Sequence, residues 1–226
     1  MKSCEILAND IYTKFKEEQK KKYGDEHVWV LIEPDNKPKV PSEIWSREKV
    51  VREYKNTLWN PRKFQWHNEW ASLSMEILNQ MAAHKLSPGD LDLHMAVRQG
   101  FPSIINRILQ FDNININSKG FNGRTPLHEC LCEYNMNMKV FCSLIAAGAD
   151  FNVPDNNGET SLNLAILFWN REGQEWLPLM ILDHIVDYDY ERVNRGGENL
   201  LDYAKVLNVQ PSVISKIEEA MKIRQV

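Results

Sequence analysis

Cysteine and histidine offer this chain its widest chemical choice, and their spacing argues against using it. A cysteine nucleophile needs a base within reach. Cys4 lies near the N-terminus, Cys130 takes a small-residue position in an apolar helical pattern, and Cys142 lies in the helical pattern after it. All three read as buried or incidental thiols. Cys130 and Cys132 are two apart on a helix, which turns them about 200° from one another, so they are poorly placed to share a metal. His27, His67, His84 and His184 show no metal-ligand spacing. Gly196-Gly197 lacks the lysine and the spacing of a phosphate-binding loop. The expectation is a chain with no catalytic residue, no metal and no cofactor.

Composition narrows the partners. Against 27 Lys and Arg stand 31 Asp and Glu, a formal net charge of -4, so nothing draws the chain generally to nucleic acid or to an anionic membrane. No apolar run approaches the roughly 18 residues of a membrane span. Lys2, Glu5 and Asp10 interrupt the first ten residues, unlike the core of a secretory signal. Four cysteines without dense spacing suit a reducing compartment, which makes the cytosol the expected location.

An octet of the form Gly-x-x-x-Leu-x-x-small occurs four times, at Gly89 to Ala96, Gly123 to Cys130, Gly158 to Ala165 and Gly197 to Ala204. In Gly123-Arg124-Thr125-Pro126-Leu127-His128-Glu129-Cys130 the threonine can cap a helix and proline takes its first position. A second helix is predicted from Val140, Phe141, Leu144 and Ile145, stopped at Gly148. Ile104, Ile105, Ile108 and Leu109 repeat this spacing, as do Leu179, Ile181, Leu182 and Ile185. Each unit is therefore two short helices and a turn.

Thr125 to Cys130 matches Thr-Pro-Leu-His-x-Ala with one change, and with Gly148-Ala149-Asp150 and Arg98-Gln99-Gly100 it resembles the ankyrin repeat over about residues 88 to 207. The resemblance implies an all-α solenoid of about four units, at 88–118, 119–153, 154–192 and 193–226. The last includes a capping helix from Pro211, with Val213, Ile214, Ile217, Ala220 and Met221 on one stripe. It also implies hydrogen-bonding structural roles for His94 and His128, the latter tied to Thr125.

By the same resemblance the function is non-enzymatic binding of a partner protein by a chain that is monomeric when unbound. The hairpin tips would offer Phe121, Asn122, Arg124, Asn156, Asn157, Glu159, Arg195 and Glu198. The ends of the first helices would offer Arg98, Gln99, Cys132, Glu133, Leu167 and Phe168. Phe121, in a turn with little to bury it, reads as an interface anchor. Phe168 divides between interface and core, because extra residues from Asn170 to Pro178 lengthen the third unit.

Residues 1–87 do not match the repeat and hold Trp29, Trp45, Trp59, Trp66 and Trp70. They are expected to form a mostly helical unit packed on the first repeat. Ile6, Leu7, Ile11 and Phe15 would face inward from a first helix ending in Lys20-Lys21-Lys22 before Gly24. A strand is expected at His27 to Ile32, and helices at Ser46 to Leu58 and Asn60 to Ala83, the last burying Phe64, Trp70, Leu73, Ile77, Leu78 and Met81. Val40 to Trp45 resembles the start of an F-box, from which Ser46-Arg47-Glu48-Lys49 departs. The alternative function follows from this segment: a pathogen or viral effector, or an adaptor, whose repeats carry a separate enzymatic or ligase-recruiting unit to its target.

Overall fold

Helices form where the sequence supplies both an apolar stripe and a stop. The computed structural model describes residues 2–23, 43–57, 67–132, 137–171, 175–185 and 187–223. Eleven α-helices and no β-strand occur among them. They are α1 (Lys2–Tyr23), α2 (Arg47–Thr57), α3 (His67–Ala83), α4 (Asp90–Gln99), α5 (Pro102–Ile108), α6 (Pro126–Cys132), α7 (Met138–Ala146), α8 (Ser161–Arg171), α9 (Trp176–His184), α10 (Leu200–Val206) and α11 (Pro211–Ile223).

Their ends follow from local chemistry. The Asn137 side chain accepts from the amides of Lys139 and Val140, and that of Asn199 from the amide of Asp202, satisfying donors that a helix start leaves open. Pro102 and Pro211 open α5 and α11, where a missing N–H costs nothing. Gly100 closes α4 at φ 74°, in the left-handed region that suits glycine, and its amide reaches the carbonyls of Ala96 and Val97.

The helices pack in two rows. The inner row is α4, α6, α8 and α10 in succession; α3, α5 and α7 form one run of the outer row, and α9 and α11 another. Leu93, Leu127 and Leu162, the leucines of the first three octets, are buried between the rows, as are Ala96, Cys130, Ala165 and Ala204; in the fourth octet Leu201 is partly buried and the preceding Leu200 is buried. The small residues at these four positions let neighbouring helices approach. The stack is thus the all-α solenoid expected, with α10 and α11 as its last helical pair.

The α2–α3 hairpin extends this pattern ahead of the first octet. α3 packs on α5, continuing the outer row, and Ile77, Leu78 and Met81 are buried as expected while Leu73 is only partly so. The Asn79 side chain accepts from Arg107 Nε at 2.9 Å. From α2, the Tyr54 hydroxyl donates to the carboxylate of Asp92, which also accepts from the Gly89 amide at 2.6 Å. Burial pushes the Asp92 carboxyl above its ordinary pKa, against the pull of these two donors. Trp45 donates its backbone N–H to Gln80 Oε1, and the Lys49 ammonium lies 4.0 Å from the centre of its ring. Of the F-box-like stretch, Glu43 and Ile44 are exposed, and Val40 to Ser42 lie outside the described residues. The strand expected at 27–32, the Asn60 cap, Phe64, Trp29, Trp59 and Trp66 also lie outside them, as does the Trp70 side chain.

α1 departs from expectation in its place and in its buried face. Instead of lying on the first unit it packs across α7 and α9, the outer helices of the second and third units. Those two helices make little direct contact with each other. α1 bridges the break. Its stripe is Leu7, Ala8 and Ile11, with Tyr12 and Phe15 partly buried, whereas Ile6 is 57% exposed. Leu7, Ile11 and Phe15 are spaced by four, and Ile6 stands about 100° around the helix from Leu7, on the solvent side.

Ile11 has no exposed surface. Ile11→Ala should lower the unfolding free energy by about 2–5 kcal/mol, the range for truncating a buried isoleucine. Urea denaturation of the two proteins measures this, and an unchanged midpoint would show that α1 is not anchored as described.

Candidate functional site

Three connections between an outer helix and the next inner helix form hairpin tips built on one hydrogen-bond scheme. Gly120, Asp155 and Asn194 donate their amides to the carbonyls of Arg124, Glu159 and Glu198, at 2.8, 2.9 and 2.9 Å. Gly123, Gly158 and Gly197 donate back to the carbonyls of Gly120, Asp155 and Asn194. Each of these glycines has φ between 70° and 81°. At two of them the need is double: a Cβ on Gly123 would meet the Asn156 backbone at 3.0 Å, and one on Gly158 the Asn194 backbone at 2.9 Å.

Neighbouring tips are joined through their backbones. The Asn156 amide donates to the Asn122 carbonyl at 2.9 Å and the Arg195 amide to the Asn157 carbonyl at 2.6 Å. Inner helices hold the same tips from below. His94 Nε2 lies 3.0 Å from the Arg124 carbonyl, and His128 Nε2 lies 3.0 Å from the Glu159 carbonyl. His128 Nδ1 faces the Thr125 amide at 3.2 Å and the Thr125 hydroxyl at 2.8 Å. A carbonyl can only accept, so Nε2 carries the proton and Nδ1 accepts, which is the neutral imidazole. Burial accordingly lowers the His128 pKa. In the third unit Asn163 replaces histidine, and the Tyr188 hydroxyl joins Thr160 and Asn163 instead.

The tips carry most of the residues singled out above. Phe121 is 74% exposed, and Asn122, Asn156, Asn157 and Arg195 are exposed beside it along the row. Arg124 is half-buried, with Nε 3.9 Å from Asp155 Oδ2. Glu159 and Glu198 are also half-buried and share the Asn194 side-chain amide, at 2.8 and 3.1 Å. Burial raises the Glu159 pKa, opposed by that bond and reinforced by Asp155 and Glu198.

At the inner-helix ends the arrangement is mixed. Arg98 makes a two-point ion pair with buried Glu129, Nε and Nη2 each 3.0 Å from a carboxylate oxygen, and so fastens α4 to α6. Gln99 and Leu167 are half-buried, Cys132 is exposed, and Glu133 lies outside the described residues. Phe168 is half-buried, edge-on to Trp169 at 5.5 Å, and Trp169 packs in turn on Trp176 at 5.3 Å. It belongs partly to the core and partly to the surface.

One residue was missed. Val206 is 69% exposed and stands two places after Ala204, the offset that Arg98 and Leu167 hold from Ala96 and Ala165, so the octet register already pointed to it. Cys142 is 9% exposed, and burial pushes its thiol up to about 12, leaving little thiolate near neutral pH. Among the described residues no group of three or more His, Cys, Asp and Glu side chains could hold a metal, and no helix is long and apolar enough to cross a membrane.

Comparison with known proteins agrees with this geometry. The family of ankyrin repeats matches residues 93–194 in three copies. The chain is 27% identical over 139 residues to the Target of rapamycin complex 2 subunit AVO2 of Saccharomyces cerevisiae, a match covering 61% of this chain and 31% of that protein. It is 28% identical over 159 residues to the putative ankyrin repeat protein FPV031 of Fowlpox virus, covering 66% and 44%. It is 33% identical over 103 residues to an L-asparaginase of Dirofilaria immitis, covering 45% of this chain and 15% of that enzyme. This chain thus spans less than half the length of each. Family and geometry together identify residues 93–194 as ankyrin repeats, and α10 with α11 carries the same packing beyond them.

The lowered His128 pKa carries a sign. The unfolded chain holds more protons than the fold just below the ordinary histidine pKa of 6.5, so stability is present above about pH 6.5 and is lost as pH falls below it. His128→Gln should destabilise the protein by about 1–3 kcal/mol at pH 7.5 and flatten the decline between pH 7.5 and 5.5. Urea midpoints of both proteins at the two pH values measure this, and parallel declines would refute it.

Proposed function

We propose, from the premise that residues 93–194 are ankyrin repeats, that this chain binds a partner protein along its row of hairpin tips and the adjoining ends of its inner helices. Ankyrin repeats are protein-interaction modules, and the family is generally non-enzymatic. The observation that carries the reading for this chain is Phe121. A phenylalanine 74% exposed at a hydrogen-bonded tip contributes nothing comparable to the core, and large aromatic side chains supply much of an interface's energy.

The contact surface comprises Phe121, Asn122 and Arg124 at one tip, Asn156, Asn157 and Glu159 at the next, and Arg195 and Glu198 at the third. Gln99, Leu167, Phe168 and Val206 line its inner side, and Arg98 is held there by Glu129. Exposed amides flanked by apolar side chains suit a contact with satisfied polar edges and a buried centre. Helices α1 to α3 serve this surface as support. Leu7, Ile11, Val50, Ile77 and Leu78 bury them against the stack, which favours a cap over a separately acting enzymatic or recruiting unit. The cytosol fits such a role, since it would keep the four free cysteines reduced.

Affinity capture with the intact chain, followed by titration of the captured partner, tests the reading. Phe121→Ala combined with Phe168→Ala should weaken binding at least 30-fold, about 2 kcal/mol, while the thermal midpoint shifts little for the exposed ring. Unchanged affinity in the double variant would place the interface elsewhere and remove these residues from it.

A further inference from the structure

The row of tips is shorter than the stack of helices, and this leaves one backbone edge open. Residues 109–125, 147–160 and 185–199 connect outer to inner helices and carry tips, whereas α3 and α4 are joined only by residues 84–89, with no hairpin. The tip at Gly120 to Arg124 therefore has a neighbouring tip on one side alone.

Its position in the shared scheme identifies what is unmet. At each internal junction the donor is the amide two residues before the tip glycine, that of Asn156 or Arg195. The equivalent amide in the first tip is that of Phe121. Among the described residues it makes no hydrogen bond, either within its own tip or to another segment. The same residue bears the exposed ring, whereas the internal junctions have Asn156 and Arg195 at this place. Donor and aromatic anchor coincide only at the open edge.

We propose that this edge takes an extended peptide segment of the partner, whose backbone carbonyl accepts from the Phe121 amide while an apolar side chain packs on the Phe121 ring. The proposal rests on the protein-binding reading above and adds the mode of contact, addition of backbone to an open edge. The occupant's chemistry is read from the chain itself, because both internal junctions are closed by a backbone carbonyl meeting this amide at 2.6–2.9 Å. Its slimness is read from the packing. α4, and α3 beyond α5, already occupy the flank where a whole repeat would stack. A second copy of this chain brings its own helical rows and does not fit there, but an extended strand of peptide does. The opposite edge offers the Gly196 carbonyl, flanked by Arg195 and Gly197 and without an apolar anchor.

The test uses the full chain and a displayed library of short random peptides, selected without regard to this site. Peptides recovered on the intact chain should slow hydrogen exchange of the Phe121 amide at least tenfold. Phe121→Ala keeps the donor and removes the ring; Phe121→Pro removes both and breaks no bond internal to the tip, because the fold makes none with that amide. Phe121→Pro should weaken the peptides at least tenfold more than Phe121→Ala. Retained protection of the Asn156 and Arg195 amides would show that the variant's remaining tips are intact.

Equal losses in the two variants, a Phe121 amide that exchanges as fast with peptide as without, or a library that yields no binder each overturn the proposal. Self-association at rising concentration that Phe121→Pro abolishes would assign the edge to a second copy and overturn it as well. Peptides lost with Phe168→Ala or with Asn156→Ala plus Asn157→Ala, yet indifferent to residue 121, would sink the open edge and leave the broader binding surface standing.

Discussion

A buried imidazole that accepts at the start of its own helix and donates to the tip of the next unit is the contact on which this architecture depends. His128 is satisfied on both ring nitrogens only if Thr125 caps α6 and the Glu159 carbonyl arrives 3.0 Å away. That single requirement fixes helix start, tip position and the step between units. With the tips so held, their backbones meet closely enough to bond directly, and glycine becomes obligatory where Gly123 and Gly158 face the next tip. Everything offered to a partner hangs from these bonds, since a tip displaced by an ångström would lose its neighbour.

The third unit shows how the requirement can be met by other means. Asn163 is too short to do what His128 does, and the Tyr188 hydroxyl enters from the following connection to complete the cluster with Thr160. Burial raises the Tyr188 pKa, so the hydroxyl keeps its proton and serves as donor. The Arg98–Glu129 pair fastens α4 to α6 in a further way, with an ion pair between inner helices. The units share a geometry more strictly than they share side chains.

This explains which parts could be read from sequence. Thr125-Pro126-Leu127-His128 is a local instruction, cap and first turn in four residues, and it placed α6 before any tertiary contact was known. Phe121 was legible because a turn between glycines has nothing to bury a ring. Phe168 was not, because its surroundings include Trp169 and Trp176, and the second of these comes from the lengthened connection whose path periodicity cannot supply. Val206 was overlooked although its register was in plain sight, since one exposed valine carries little signal without knowing that the helix ends there. The position of α1 was beyond reach: its stripe says that it must be covered, and nothing in residues 2–23 says by what.

That placement bears on how the chain assembles. Repeat stacks ordinarily grow from contacts close in sequence, each unit closing on the one before. Here α1 is made well before α7 and α9, the helices that bury Leu7 and Ile11. An apolar stripe thus stays uncovered throughout synthesis of the units between, open to a chaperone or to a neighbouring nascent chain. Docking of α1 is the step that turns a string of local closures into one cooperative body, and it sets a long loop to close where the rest of the fold needs only short ones.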